Sequence, residues 1–386
     1  MAKFRYAVLE NDLAKAAGTT SGTETIDLPE RGILSEVDIQ TRYKCSYTDD
    51  MLLPGYITIK KLELLVDGST VVKSIDGRQA QALMWYNKGP FATSNTYQGG
   101  GNVNVGYDLF PLYLGKFAGD TKNGLVLENY SNPQLKITWD TTTTAADGMT
   151  FDANTSDPTF TYNVMAKLID GTPAGFTNRY VQSREIDSYN PGTDSETNTE
   201  IPRGYDLKGI MLGSRYKTKA WNSAMTHVKL DFDNGKWLPI DMDYENLAVA
   251  FKSWFPEPCE ANAWNNRAHG DDFDSRVMQL SSFTSQGAGS NAYLALWGVF
   301  EFPLYTLSIY DESHAALTTA VNIHTKCTGW GPMQTVYFPM DQLLDGSADS
   351  IRTNDYGRID FKVTTSGYTA SATTHVVAEY LKPNGQ

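Results

Sequence analysis

Apolar and polar residues alternate with a period of two through most of the chain, the spacing of strands buried on one face. Residues 33–43 set Ile33, Val37 and Ile39 among polar neighbours, and residues 56–66 continue the pattern up to Asp67-Gly68. That dipeptide favours a tight hairpin, because both central positions of the turn need a positive φ. Residues 70–75 form a short second run, Asp76-Gly77 marks another turn, and residues 79–86 are expected to be the next strand. Beyond a loop holding Gly99, Gly100 and Gly101, strands are predicted over 103–114, 134–139 and 160–169, with a loop over 141–157 before the last. Many short strands separated by regular turn signals predict a sandwich or a barrel.

Two stretches depart from the alternation. Residues 1–22 place Phe4, Ala7, Val8, Leu9, Leu13, Ala16 and Ala17 at helical spacing ahead of Gly18, with Lys3, Arg5 and Lys15 adding positive charge. A short amphipathic helix is expected there, docked on its own domain or acting as an arm towards a neighbour or a membrane surface. Residues 291–310 are apolar enough to raise a membrane span, but Glu301, Pro303 and strand-like aromatics favour two buried strands.

The pattern then occurs twice. Residues 26–44 read IDLPERGILSEVDIQTRYK and residues 198–217 read NTEIPRGYDLKGIMLGSRYK. Their prolines, Pro29 and Pro202, are 173 residues apart (202 − 29), and Tyr43 and Tyr216 keep that offset. Residues 57–68 are answered by 225–235, with the turn glycines 167 apart (235 − 68), and 135–139 and 160–170 are answered by 359–363 and 374–383. Phe110-Pro111-Leu112 is matched to Phe338-Pro339-Met340, an offset of 228 (338 − 110), which places about sixty extra residues between Gly235 and Phe338. A period this long means two copies of one domain, the second carrying an insertion at a loop.

Composition supports a folded β protein: 386 residues, 12% aromatic, with 22 Tyr, 32 Gly and 16 Pro. The net charge of −13 argues against a sequence-independent nucleic-acid binder, which needs clustered Lys and Arg. Cys45, Cys259 and Cys327 lack metal-type spacing and cannot all pair, so they read as reduced residues of a protein assembled in a reducing cytoplasm. No signal peptide is read, because Glu10 and Asp12 break the apolar character near the start.

Candidate chemistry is sparse. His269, Asp271, Asp272 and Asp274 form the densest ligand-like cluster, suited to calcium by its carboxylates but lacking a full calcium-loop pattern. His314 and His324 would need two more ligands for zinc. Asp231 with Asp233, and Asp241 with Asp243, are same-face carboxylate pairs that acid–base work on a glycan could use, yet both flank turns where Asp serves the backbone. Gly99–Gly101 has no phosphate-loop Lys after it, and no nucleophile elbow is present. Asn129 and Asn154 fit the glycosylation pattern, which is frequent by chance. No catalytic residue, metal site or cofactor is assigned. Two other classes stay open: a hydrolase with acids in an interdomain groove, and a carbohydrate- or receptor-binding protein using Trp254, Trp264 and Trp297.

The order of motifs resembles the double jelly-roll major capsid proteins of tailless icosahedral viruses of the tectivirus–adenovirus lineage. The Leu28-Pro29-x-x-Gly32 opening, the hairpin from Leu62 to Asp67-Gly68, and residues 110–139 carry the resemblance. It implies an all-β fold of two eight-stranded jelly rolls in tandem with short helices. On that reading residues 1–22 are the arm, 23–197 the first jelly roll with its linker, and 198–386 the second, with a tower insertion over about 254–333. It also implies a virion protein without enzymatic activity that forms homotrimers of pseudo-hexagonal outline. Its partners would be neighbouring capsomers, penton and minor capsid proteins, and an internal viral membrane reached by the arm, with no sequence-specific nucleic-acid binding.

Overall fold

The computed structural model describes residues 3–14, 19, 21–47, 58–89, 95–98, 103–140, 149–151, 160–191, 195–215, 225–267, 272–274, 277–288, 293–297, 304–310, 321–345, 348–366 and 373–385. Within these, side chains are described outside 43–47, 95–98, 103–106, 149–151, 160, 215 and 261–327.

The first half contributes β1 (Lys3–Ala14), β2 (Ser21–Asp27), β3 (Ile33–Tyr47), β4 (Ile59–Val66) and β5 (Thr70–Ile75). After helix α1 (Gly77–Tyr86) come β6 (Asn95–Gln98), β7 (Val103–Tyr113), β8 (Leu125–Val126), β9 (Gln134–Asp140), β10 (Met149–Phe151) and β11 (Phe160–Asp170). The second half opens with β12 (Arg179–Tyr189), β13 (Ser195–Glu200), β14 (Asp206–Arg215), β15 (Met225–Phe232) and β16 (Trp237–Asp243), then helix α2 (Tyr244–Trp254). Six strands follow: β17 (Cys259–Arg267), β18 (Asp272–Asp274), β19 (Val277–Ala288), β20 (Tyr293–Trp297), β21 (Leu304–Tyr310) and β22 (Val321–Pro332). The chain then forms β23 (Thr335–Pro339), β24 (Ile351–Arg352), β25 (Ile359–Thr365) and β26 (Thr373–Pro383).

The pairing order is the same in both halves. In the first, β1-β11-β3-β7 forms one sheet and β2-β9-β4-β5 the other; in the second, β12-β26-β14-β23 and β13-β25-β15-β16 take those places. Each half thus pairs its eight main strands 1-8-3-6 and 2-7-4-5, the strand order of a jelly roll. The halves are fused through β5 and β12, which run parallel with Ser183 opposite Lys73 and Arg184 opposite Ser74. The β2-β9-β4-β5 and β12-β26-β14-β23 sheets therefore form one continuous sheet. The six strands after α2 make two separate three-stranded sheets, β17-β22-β19 and β18-β21-β20.

Alternation buries one face of each strand: on β9, Leu135, Ile137 and Trp139 point inward between half-buried polar residues. Trp139, Tyr162 and Phe110 fill the first half, and Phe232, Phe338 and Phe361 the second. Burying one such aromatic stabilises the fold by about 2–3 kcal/mol.

Four expectations change. Residues 3–14 are a strand rather than a helix: β1 pairs with β11 from Lys3↔Asp170 to Ala14↔Thr161. Register shifts between Val8 and Glu10 and between Glu10 and Leu13 bring Leu9 and Leu13 onto the core, which is why their spacing imitates a helix. Residues 77–86 are a helix rather than a strand. Asp76 is its N-cap, accepting the Gln79 N–H at 2.7 Å while the Gln79 side chain accepts the Asp76 N–H at 2.9 Å, a capping box where a turn was expected. Residues 179–189, expected to be linker, pair along their length with β26. Finally, the offset between β7 and β23 is 226 rather than 228. Leu112 opposite Val37 corresponds to Phe338 opposite Ile210 (338 − 112), so the Phe-Pro pairs are two residues out of structural register.

The equivalent turns explain why Asp recurs. Asp67 and Asp233 both adopt positive φ, 52° and 53°. Asp67 Oδ1 accepts the Ser131 N–H at 2.7 Å, and Asp233 Oδ1 accepts the Gly357 N–H at 2.6 Å. These pins are 166 residues apart at one end (233 − 67) and 226 at the other (357 − 131), so the second half is longer by 60 residues between them.

Candidate functional site

The carboxylates singled out from sequence do not converge. Asp231 is buried and accepts the Gly235 N–H at 2.6 Å and the Lys362 ammonium at 3.3 Å. Asp233 holds the Gly357 and Arg358 amides, and these bonds keep its carboxyl below the usual range. Asp241 pairs with His227 Nε2 at 3.0 Å and Lys229 at 3.8 Å, and Asp243 stands at the N-cap of α2. Each meets a turn amide, a helix start or a cation on its own sheet. Trp254 packs edge-on against Phe338, with ring centroids 6.1 Å apart. Asn129 is exposed at the end of a 3-10 turn, Leu127–Asn129, whose Leu127 is buried. Cys259 is buried, its Sγ donating to the Gly329 carbonyl at 3.1 Å.

Gly99–Gly101, Asn154, His269, Asp271 and His314 lie outside the described residues, as do the side chains of Cys45, Trp264, Asp272, Asp274, Trp297, His324 and Cys327. Residues 293–297 and 304–310 are the two strands expected within 291–310. Among the described residues no helix is long and apolar enough to cross a membrane.

The residues that do converge lie where the halves meet. Lys73 on β5, Ser183 on β12 and Glu379 on β26 stand opposite one another across three adjacent strands. All three are buried. Lys73 Nζ donates to Ser183 Oγ at 2.7 Å, and Ser183 Oγ donates to Glu379 Oε1 at 2.6 Å. Glu379 Oε2 accepts the Lys208 ammonium at 2.6 Å and the Tyr337 hydroxyl at 2.9 Å. Lys208 also donates to Asn87 Oδ1, beyond the last turn of α1, at 2.5 Å.

Local backbone makes this possible. The register between β14 and β26 shifts between Leu207 and Gly209, so Lys208 is the extra residue of a bulge and swings onto Glu379. Gly209 must lack a side chain, because a β carbon there would overlap the Tyr337 ring and hydroxyl.

Burial pushes the Glu379 carboxyl up, but Lys208, Lys73 and the hydrogen bonds from Lys208 and Ser183 outweigh it and hold the group at about 2. Burial pushes Lys73 down to about 7, against the attraction of Glu379. Burial and Glu379 raise Tyr337 well above the usual phenol range, so it stays a neutral donor. A dry carboxylate held by the Lys208 ammonium, by the Tyr337 hydroxyl and, through Ser183, by Lys73 is a charge-assisted network that fixes register rather than a reactive centre open to substrate. Around it, Tyr86 of α1 stacks on Tyr337 at 5.0 Å and tilts against Phe255 at 5.1 Å, while its hydroxyl donates to the Thr335 carbonyl at 2.9 Å.

Two residues beyond Ser183 on β12, at Glu185, lies a second group. Among the described residues, donor atoms of Asp76, Glu185 and His375 all fall within 4.8 Å of one another. The sequence pointed to neither group, because their members lie in separate strands up to 306 residues apart (379 − 73).

No protein-family model and no curated protein matches the sequence. Solved structures do. The major capsid protein of Sulfolobus turreted icosahedral virus superposes with a TM-score of 0.58 at 11% identity, covering 99% of this chain and 97% of that one. The major capsid protein of bacteriophage PM2 superposes with a TM-score of 0.50 at 11% identity, covering 98% and 97%. The two matched eight-strand orders, their fusion into a common sheet and these near-complete superpositions identify the fold as the double jelly roll of viral major capsid proteins.

Proposed function

We propose that the chain is the major capsid protein of an icosahedral virus, a structural subunit rather than an enzyme. The observation that carries this reading is the near-full-length superposition on two such proteins, with no large part of either chain left over. The duplicated sandwich supports it physically. Two similar domains locked by a buried network present two similar sides, and three copies about a threefold axis display six, an outline that tiles a shell.

The pairing supports a division into a first jelly roll from residue 3 to 170, a connection over 171–178, and a second jelly roll from 179 onward. The tower then comprises the two three-stranded sheets between α2 and β23. Homotrimers, neighbouring capsomers, and penton and minor capsid proteins are the partners. Contact with an internal membrane, expected of an N-terminal helix, would fall to the edge strand β1, where Phe4, Tyr6 and Val8 are exposed.

Sedimentation and electron microscopy of the purified chain test the reading. The expected particle has three times the 42.8 kDa chain mass and a hexagonal outline. A stable monomer at micromolar concentration overturns it.

A further inference from the structure

The cluster beside the buried network has the composition of a metal site. Asp76 ends β5 and caps α1, and one of its oxygens is taken by the Gln79 N–H at 2.7 Å. Glu185 lies on β12, where Oε2 accepts the Gln79 side-chain amide at 2.5 Å and faces His375 Nδ1 at 3.0 Å. His375 lies on β26, with the Ser188 hydroxyl 3.4 Å from the same nitrogen. A register shift between Glu185 and Asp187 puts Ser188, rather than a third carboxylate, opposite His375.

Two carboxylates and an imidazole face two cations: Arg78, which gives one of its amino groups to the Met333 carbonyl at 3.2 Å, and Lys61, which also pairs with Glu63 at 2.7 Å. Burial pushes the Asp76 carboxyl up despite the attraction of Arg78 and His375. The three side chains are half-buried rather than sealed.

We propose that Asp76, Glu185 and His375 bind one divalent transition-metal ion of the Zn2+ class, clamping the first jelly roll to the second. Imidazole with carboxylates suits zinc and its first-row neighbours better than calcium or magnesium, which take oxygen donors. Bonds of about 2.0–2.2 Å bring tetrahedral donors to about 3.4 Å apart, within side-chain rotation of the observed spacing. Gln79 supplies the outer hydrogen bond that orients Glu185. The clamp reaches across the junction because Asp76 follows β5, the first half's strand at the seam, while Glu185 and His375 belong to the first and last strands of the second half. It does not depend on capsid assembly, and its test needs none.

The full-length chain, stripped with EDTA, is titrated calorimetrically with ZnCl2, and Co2+ is used in parallel to read ligand-field bands in the visible. One equivalent of Zn2+ is expected to bind and raise Tm. His375→Ala and Glu185→Gln should each weaken binding by about a hundredfold or more, and Gln79→Ala by about tenfold to a hundredfold. Circular dichroism checks each variant's fold, and near-isosteric Glu185→Gln keeps the test decisive if His375→Ala misfolds. Absence of stoichiometric zinc, affinity unchanged in Glu185→Gln, or an equal thermal shift with Ca2+ or Mg2+ overturns the site.

Discussion

The same level of the same sheet is built in opposite ways in the two halves. On β11, Lys167 stands between Tyr6 and Glu36; on β26, the equivalent Glu379 stands between Ser183 and Gly209. Lys167 pairs with Glu36 at 3.1 Å and lies over the Phe4 and Tyr6 rings at 4.8 and 5.7 Å, on a face left partly open. Glu379 is sealed, with the Lys208 ammonium from its own half and, through Ser183, Lys73 from the first. Both halves keep the bulge, at Ser35 in one and Lys208 in the other (208 − 35 = 173), but only the second loads it with charge. Duplication preserved the backbone device, and the junction changed what the device carries.

The comparison is tested most severely by Glu379→Gln. It leaves the Lys208 ammonium buried without its carboxylate and is expected to lower unfolding free energy by about 3–5 kcal/mol in urea melts, against about 1 kcal/mol for Lys167→Met. Equal losses would mean the two rows are energetically alike. The next effect is a pH dependence. Lys73 is held at about 7 when folded and returns to its ordinary 10.5 when unfolded, so the unfolded chain binds more protons between those values. Stability from this group therefore rises with pH from about 7 to 10.5, and Lys73→Met should flatten that rise in melts across the range. Gly209→Ala forces Tyr337 aside and should cost about 1–3 kcal/mol, read as a fall in Tm. The smallest difference is expected where the halves agree: Asp67→Ala and Asp233→Ala should each lower Tm slightly, with neither exceeding the other by more than the error of the melt.

Much of the fold was legible. Pro29 and Pro202 give the true 173-residue offset, and Asp67-Gly68 marks a real hairpin, because turn chemistry is local. Helix α1 was legible only in part: Asp76 and Gln79 three apart and Ala80, Leu83 and Met84 carry its signal, but Asp-Gly at its start imitates a turn and the segment reads as a strand. Strand β1 was not, since its bulges place Leu9 and Leu13 at helical spacing and only pairing with β11 decides the matter. The seam was out of reach for a different reason. Lys73, Lys208 and Glu379 follow no period, and nothing short of the parallel contact between β5 and β12 brings them together. Asp231 and Asp233 looked like acid–base candidates because turn-pinning and catalysis use the same side chain, and only the hydrogen-bond partners separate the roles.

Strand β26 lies between β12 and β14, strands made almost two hundred residues earlier. Until residues 373–383 leave the ribosome, both of those strands present bare backbone edges, and the ammoniums of Lys73 and Lys208 have no carboxylate to meet. A nascent or truncated chain lacking β26 thus has a sticky, uncompensated flank in place of a finished wall. Emergence of residues 373–383 is thereby coupled to completion of the joint sheet, and fragments lacking them are prone to aggregation and proteolysis.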